Sequence, residues 1–155
     1  MILATDFKCF VKILFSVCLL FFQRASIFAQ NQKVADSLVK IYQKNKLENS
    51  EKLELLRNLS FNEVNNLELS LKYADELIAL SKLEKNYLYL HRGYYQKGNK
   101  NRLIGDLNKA LNDFFKSAEA ASKAKFITGK GVAYMSIADV YSIMGNANNA
   151  EVYYT

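Results

Sequence analysis

A forty-residue period constrains this chain more than any single motif. The segment GDLNKALNDFF at 105–115 returns as GNANNAEVYYT at 145–155. The same offset pairs Tyr94 with Tyr134, Gly98 with Ala138, Ala110 with Ala150 and Phe114 with Tyr154. Further upstream it links Ser70 to Ala110 and Ala74 to Phe114. Small and aromatic residues thus recur at matched places, in copies too short to bury an apolar face alone. Such units are stable only when stacked on their neighbours, so the pattern predicts a solenoid that works by binding.

Half of the 155 residues are hydrophobic and none is proline. Without proline the commonest interruption of helices is missing, and a turn-rich β-sandwich is disfavoured. Residues 1–29 read as a secretory signal: Lys8 and Lys12 precede an uncharged run at 13–22, and Ala25 and Ala29 follow. Ten helical residues span ~15 Å, against the ~30 Å of a bilayer's hydrocarbon, so a removable signal is expected over an uncleaved anchor. Export places the mature protein in a periplasmic or extracytoplasmic compartment. Both cysteines, Cys9 and Cys18, leave with the signal, which excludes disulfides, thiolate catalysis and cysteine-ligated zinc from the remainder. Lys8, Lys12, Arg24 and Asp6 leave too, so the formal charge falls from +6 to +4. The remaining cations are mixed with acids, as on a solvated helical surface, and nucleic acid is not an expected partner.

The elements follow from apolar spacing. Val34, Leu38, Ile41 and Tyr42 form a stripe within a capping helix and loop at 30–49. Ser50 caps a helix carrying Leu53, Leu56, Leu59 and Val64, and a turn at Asn65 and Asn66 leads to a helix at 67–81 with Leu71, Ala74, Leu77 and Ile78 inward. A helix at 87–103, a turn at Gly105 and a helix at 106–125 follow, the last with Leu107, Ala110, Leu111, Phe114 and Ala118 on one face. Gly129 and Gly131 break the pattern, with Thr128 as a cap, before a helix at 132–144 and the start of another near Asn146.

Aligned on this period, residues 50–155 resemble the tetratricopeptide repeat. The last copy carries that family's small and aromatic places in Tyr134, Ala138, Tyr141, Gly145, Asn146, Ala150 and Tyr154. The middle copy supplies Tyr94, Gly98, Gly105, Asp106, Ala110, Phe114 and Ser117, with Asn101 where an aromatic is usual. The resemblance implies an all-α fold of antiparallel helix pairs stacked as an α-solenoid. Its repeats would be a degenerate copy at 50–85, one at 86–125 and a truncated one at 126–155. It also implies that Tyr94, Tyr134, Tyr141 and Tyr154 are core, and that packing is weaker at Lys100 and Asn101.

In that family one face of each first helix lines a concave groove. The matching residues are Arg92, Tyr95, Asn99 and Arg102, then Val132, Met135, Asp139 and Ser142. Arginine binds carboxylate bidentately and tyrosine loses little entropy on contact, so this set suits an acidic or C-terminal peptide of a protein partner. Asn99 matches the family's carboxylate clamp, whereas Tyr95 stands where the clamp has lysine. An ordinary solvated face is the alternative reading. No catalytic, metal or cofactor site is expected: His91 is the only histidine, and GKG at 129–131 is too short for a nucleotide loop. The last copy stops within a helix, so a longer protein is expected. The front ends of bacterial membrane proteins that end in an adenylate or guanylate cyclase or a histidine kinase look similar, which gives the alternative role of an extracytoplasmic input region.

Overall fold

A computed structural model describes residues 31–44 and 47–154. The signal expected at 1–29, with Cys9 and Cys18, lies outside the described residues. Among those described every regular element is an α-helix: α1 at 31–43, α2 Asn49–Asn62, α3 Leu67–Leu83, α4 Tyr87–Ile104, α5 Leu107–Lys123, α6 Ile127–Ile143 and α7 Ala147–Tyr154.

From α3 onward the connections are two or three residues long, and each is closed by the same device. Lys85, Gly105, Lys125 and Gly145 have φ of 52°, 90°, 55° and 74°, one left-handed residue every twenty. The N–H after each reaches back five residues: Asn86 to the Ser81 carbonyl, Asp106 to Asn101, Phe126 to Ala121 and Asn146 to Tyr141, all at 2.9 Å. This satisfies carbonyls that a helix end leaves without partners. Glycine reaches positive φ freely at 105 and 145, whereas the two lysines carry a Cβ penalty there. The next helix starts with an oxygen cap on the same spacing. Asn66, Asn86, Asp106 and Asn146 accept from the N–H three residues on at 2.9, 3.3, 3.1 and 3.1 Å.

The unit beneath the forty-residue period is therefore one helix and one turn of twenty residues. Phe126 interrupts the series of caps, because α6 has no side-chain cap. Neither does α2, which starts after Glu48, so Ser50 and Thr128 are not the caps expected. Gly129 and Gly131 lie inside α6, and the break belongs to Lys125.

Packing runs along the chain, each helix from α2 onward lying against the next. In addition the backbone of α4 approaches those of α2 and α6, whereas the backbones of α3 and α5 stay further apart. Ser70, Ala110 and Ala150, forty residues apart, are all buried one turn into α3, α5 and α7. Two apolar clusters result. Leu53, Leu55, Leu56, Leu59, Tyr73 and Leu77 form the first. The second gathers Ala110, Phe114, Ile137 and Val140, with Tyr134, Tyr141 and Tyr153 packed against it. Gly98 brings α4 and α5 together: a Cβ there would lie 2.8 Å from Cδ1 and Cε1 of the Phe114 ring.

Three expected placements are revised. In α1 the stripe is Ala35, Leu38, Val39 and Tyr42, with Val34 and Ile41 turned to solvent. The cause is α3, where Glu76 accepts from the Tyr42 hydroxyl at 2.7 Å and the Tyr73 ring meets Tyr42 edge-on. That bond raises the Tyr42 pKa to about 12. Tyr154 is exposed, its hydroxyl on Asp139 at 2.8 Å, while Tyr153 turns inward among Tyr134, Tyr141 and Phe115. Lys100 and Asn101, far from being loosely packed, are buried. Asn101 donates to Asp113 at 2.8 Å, and the Lys100 ammonium donates to the Glu63 carbonyl at 3.1 Å, tying α4 to the end of α2.

Candidate functional site

The face shared by α2, α4 and α6 collects the residues singled out from the sequence. All eight fall on α4 and α6 at three- and four-residue steps, which puts Arg92, Tyr95, Asn99 and Arg102 on one side of α4 and Val132, Met135, Asp139 and Ser142 on one side of α6. At the α2 end, Glu54 is the hub. Its carboxylate takes Arg57 Nη2 at 2.7 Å, Asn58 Nδ2 at 3.2 Å, the Tyr89 hydroxyl at 2.8 Å and, more distantly, Arg92 Nη1 at 3.6 Å. The Arg92 guanidinium lies 4.9 Å above the centre of the Tyr89 ring. Partial burial opposes the Glu54 charge, yet the bonds from Arg57 and Tyr89 outweigh it and hold the pKa below the ordinary carboxylate value. At the α6 end, Arg102 Nη1 stands 3.7 Å from Asp139 Oδ2.

The two guanidinium groups are thus already opposite carboxylates supplied by neighbouring helices. Both pairs are long and partly solvated, and such pairs contribute only ~0–1 kcal/mol. An incoming carboxylate would exchange for Glu54 or Asp139 rather than meet a bare cation. Beside them Val132 and Met135 turn apolar surface outward, Met135 being 59% exposed, and Ser142 is exposed as well.

Tyr94 and Tyr95 are both half-buried, on different sides of α4. The Tyr95 ring lies 5.7 Å from Phe114 and 6.1 Å from His91, with its hydroxyl 3.5 Å from the Ser136 hydroxyl. Tyr94, expected in the core, lies instead at the gap between α3 and α5. Pairing in sequence with Tyr134 did not distinguish these placements, because α4 is enclosed by helices on more sides than α6.

His91 is buried. Ser117 Oγ lies 2.8 Å from its Nδ1, and the Phe126 ring packs edge-on against it. A Cβ on Gly129 would meet that ring at 2.2 Å and His91 Nε2 at 2.8 Å. Burial depresses the His91 pKa more than its bond to the Ser117 carbonyl raises it. Ser117 is fully buried, so this serine–histidine pair joins α4 to α5 and lines no cleft. Among the described residues no group of three His, Cys, Asp or Glu could hold a metal, and no helix is long and apolar enough to cross a membrane. No family model and no curated protein matches the chain.

Proposed function

We propose that residues 50–154 form a tetratricopeptide-type α-solenoid whose α2, α4 and α6 face binds an extended protein or peptide segment and performs no chemistry itself. Support comes from the unequal packing of alternate helices. The backbones of α2 and α4, and of α4 and α6, approach each other while those of α3 and α5 stand further apart, which supports a curved stack with the first row inside. The twenty-residue repetition of turn and cap supports units of one size. The observation that carries the binding reading is that the exposed Val132 and Met135 share one side of α6 with Asp139, whose carboxylate faces the half-exposed Arg102 and is exchangeable. Interfaces concentrate binding energy in such centres, with polar contacts around them.

The ligand this face suits carries one apolar side chain for Met135 and a carboxylate that displaces Asp139 from Arg102. Selection of peptides from a displayed random library against the protein tests the reading. Selected peptides should perturb Asn99, Arg102, Val132 and Met135 in an NMR footprint, and Met135→Asp should weaken them about tenfold or more, as loss of a central contact does. Selection that yields no binder, or binders that footprint only on α3, α5 and α7, would refute it.

A further inference from the structure

We propose a second binding site on the opposite side of α4, in the gap that α3 and α5 leave open, for an anion carrying two or more phosphate charges. Tyr94 floors this gap. The Lys82 ammonium on α3 and the Lys116 ammonium on α5 each stand 5.7 Å from the centre of its ring, one from either bank. Two hollows meet at these three residues, of about 430 Å³ and about 250 Å³. The larger adds Asp75, Lys97, Lys109 and Asp113 to its walls, the smaller Glu119 and Lys123.

Direct ion pairs account for three of the five lysines on these walls. Lys97 is paired with Asp75 at 2.6 Å, Lys123 with Glu119 at 2.7 Å and Lys109 with Asp106 at 2.7 Å. Asp113 accepts from the buried Asn101, and burial pushes its pKa up against the opposing pull of Lys97 and Lys116, which its carboxylate faces. Among the described residues no carboxylate pairs with Lys82 or Lys116. Their ring contacts are weak at a partly solvated site, so an anion bridging them replaces little.

Lysine recommends phosphate over carboxylate here. A flexible ammonium with three donors serves a tetrahedral oxyanion from any side, whereas planar carboxylate favours the arginine fork that the α2, α4 and α6 face carries instead. With each ammonium 5.7 Å from one ring centre, the two stand at most about 11 Å apart, a gap that linked phosphates span better than a single one. A free polyphosphate and a layer of anionic lipid headgroups share this chemistry.

Two probes separate these sources: titration calorimetry with inorganic triphosphate, and co-sedimentation with phosphatidylcholine vesicles with and without phosphatidylglycerol. Lys82→Gln combined with Lys116→Gln should weaken binding about tenfold or more, as loss of charged hydrogen bonds does. Lys33→Gln with Lys40→Gln removes the same charge from α1, whose Lys33 and Lys40 are exposed, and should leave binding within about twofold, as screened distant charges do. Binding of triphosphate alone assigns a soluble ligand, and binding of anionic vesicles alone assigns a headgroup. Failure of both probes, or equal loss in the two double variants, would overturn the site.

Discussion

Gly98→Ala should destabilise the protein although alanine is the better helix former, and the structure fixes why. In an open helix the exchange gains ~0.5–1 kcal/mol through propensity and reduced freedom of the unfolded chain. At Gly98 the new methyl would stand 2.8 Å from two carbons of Phe114, where carbon atoms prefer ~3.5–4.0 Å. The ring has no free side to move to: Phe114 is fully buried, with Tyr95 at 5.7 Å and Ile137 and Val140 in its cluster. Overpacking of this kind costs ~1–3 kcal/mol, leaving a net loss of up to ~2.5 kcal/mol after the propensity gain. For a chain of this size that lowers the midpoint by up to roughly 10 °C. Gly131, also within a helix, has nothing within 4 Å of a Cβ. Gly131→Ala should therefore raise the midpoint by roughly 1–4 °C, the propensity gain alone. Thermal melts followed by far-UV circular dichroism measure both. Shifts of the same sign would show that Gly98 is not where α4 and α5 meet, and the packing argued from it would be wrong.

Two further expectations follow from the turns and the buried histidine. Lys85→Gly and Lys125→Gly relieve positive φ at the left-handed turns and should each stabilise by ~0.5–1 kcal/mol in denaturant titrations; no gain at either would remove the strain assigned there. Because burial holds His91 below its ordinary value of 6.5, the unfolded chain takes up the proton first. Its contribution is complete above that value and is lost as pH falls through it towards the folded-state pKa, with a slope of at most about 1.4 kcal/mol per pH unit. His91→Gln should flatten the stability profile between about pH 7 and 5, and an unchanged slope would mean that another group titrates.

Helix and turn were legible because both are local. Gly105, Gly145, Asn66, Asp106 and Asn146 announce turns and caps through their own conformational and hydrogen-bonding habits, and apolar spacing supplied the helices between them. Lys85 and Lys125 hid half of the turns, since lysine gives no hint of positive φ. The twenty-residue unit was accordingly visible only as its double. Ser50 and Thr128 had the right chemistry for caps, but Asn49 and Ile127 already belong to helices held by their neighbours.

What the sequence determined by itself is an all-helical chain with small residues at regular close approaches, because periodicity and steric demand are written residue by residue. The tertiary structure alone decided which side of each helix is used. Adjacent tyrosines such as Tyr94 and Tyr95 differ by one step of about 100° around α4, and only the positions of α3, α5 and α6 determine which neighbours each ring meets. The same holds for charge. Arg92 and Arg102 read as free cations until α2 and α6 bring Glu54 and Asp139 opposite them, whereas Lys82 and Lys116 line the gap where the backbones of α3 and α5 stay further apart. Electrostatic pairing depends on distance through space, which the order of residues along the chain does not contain.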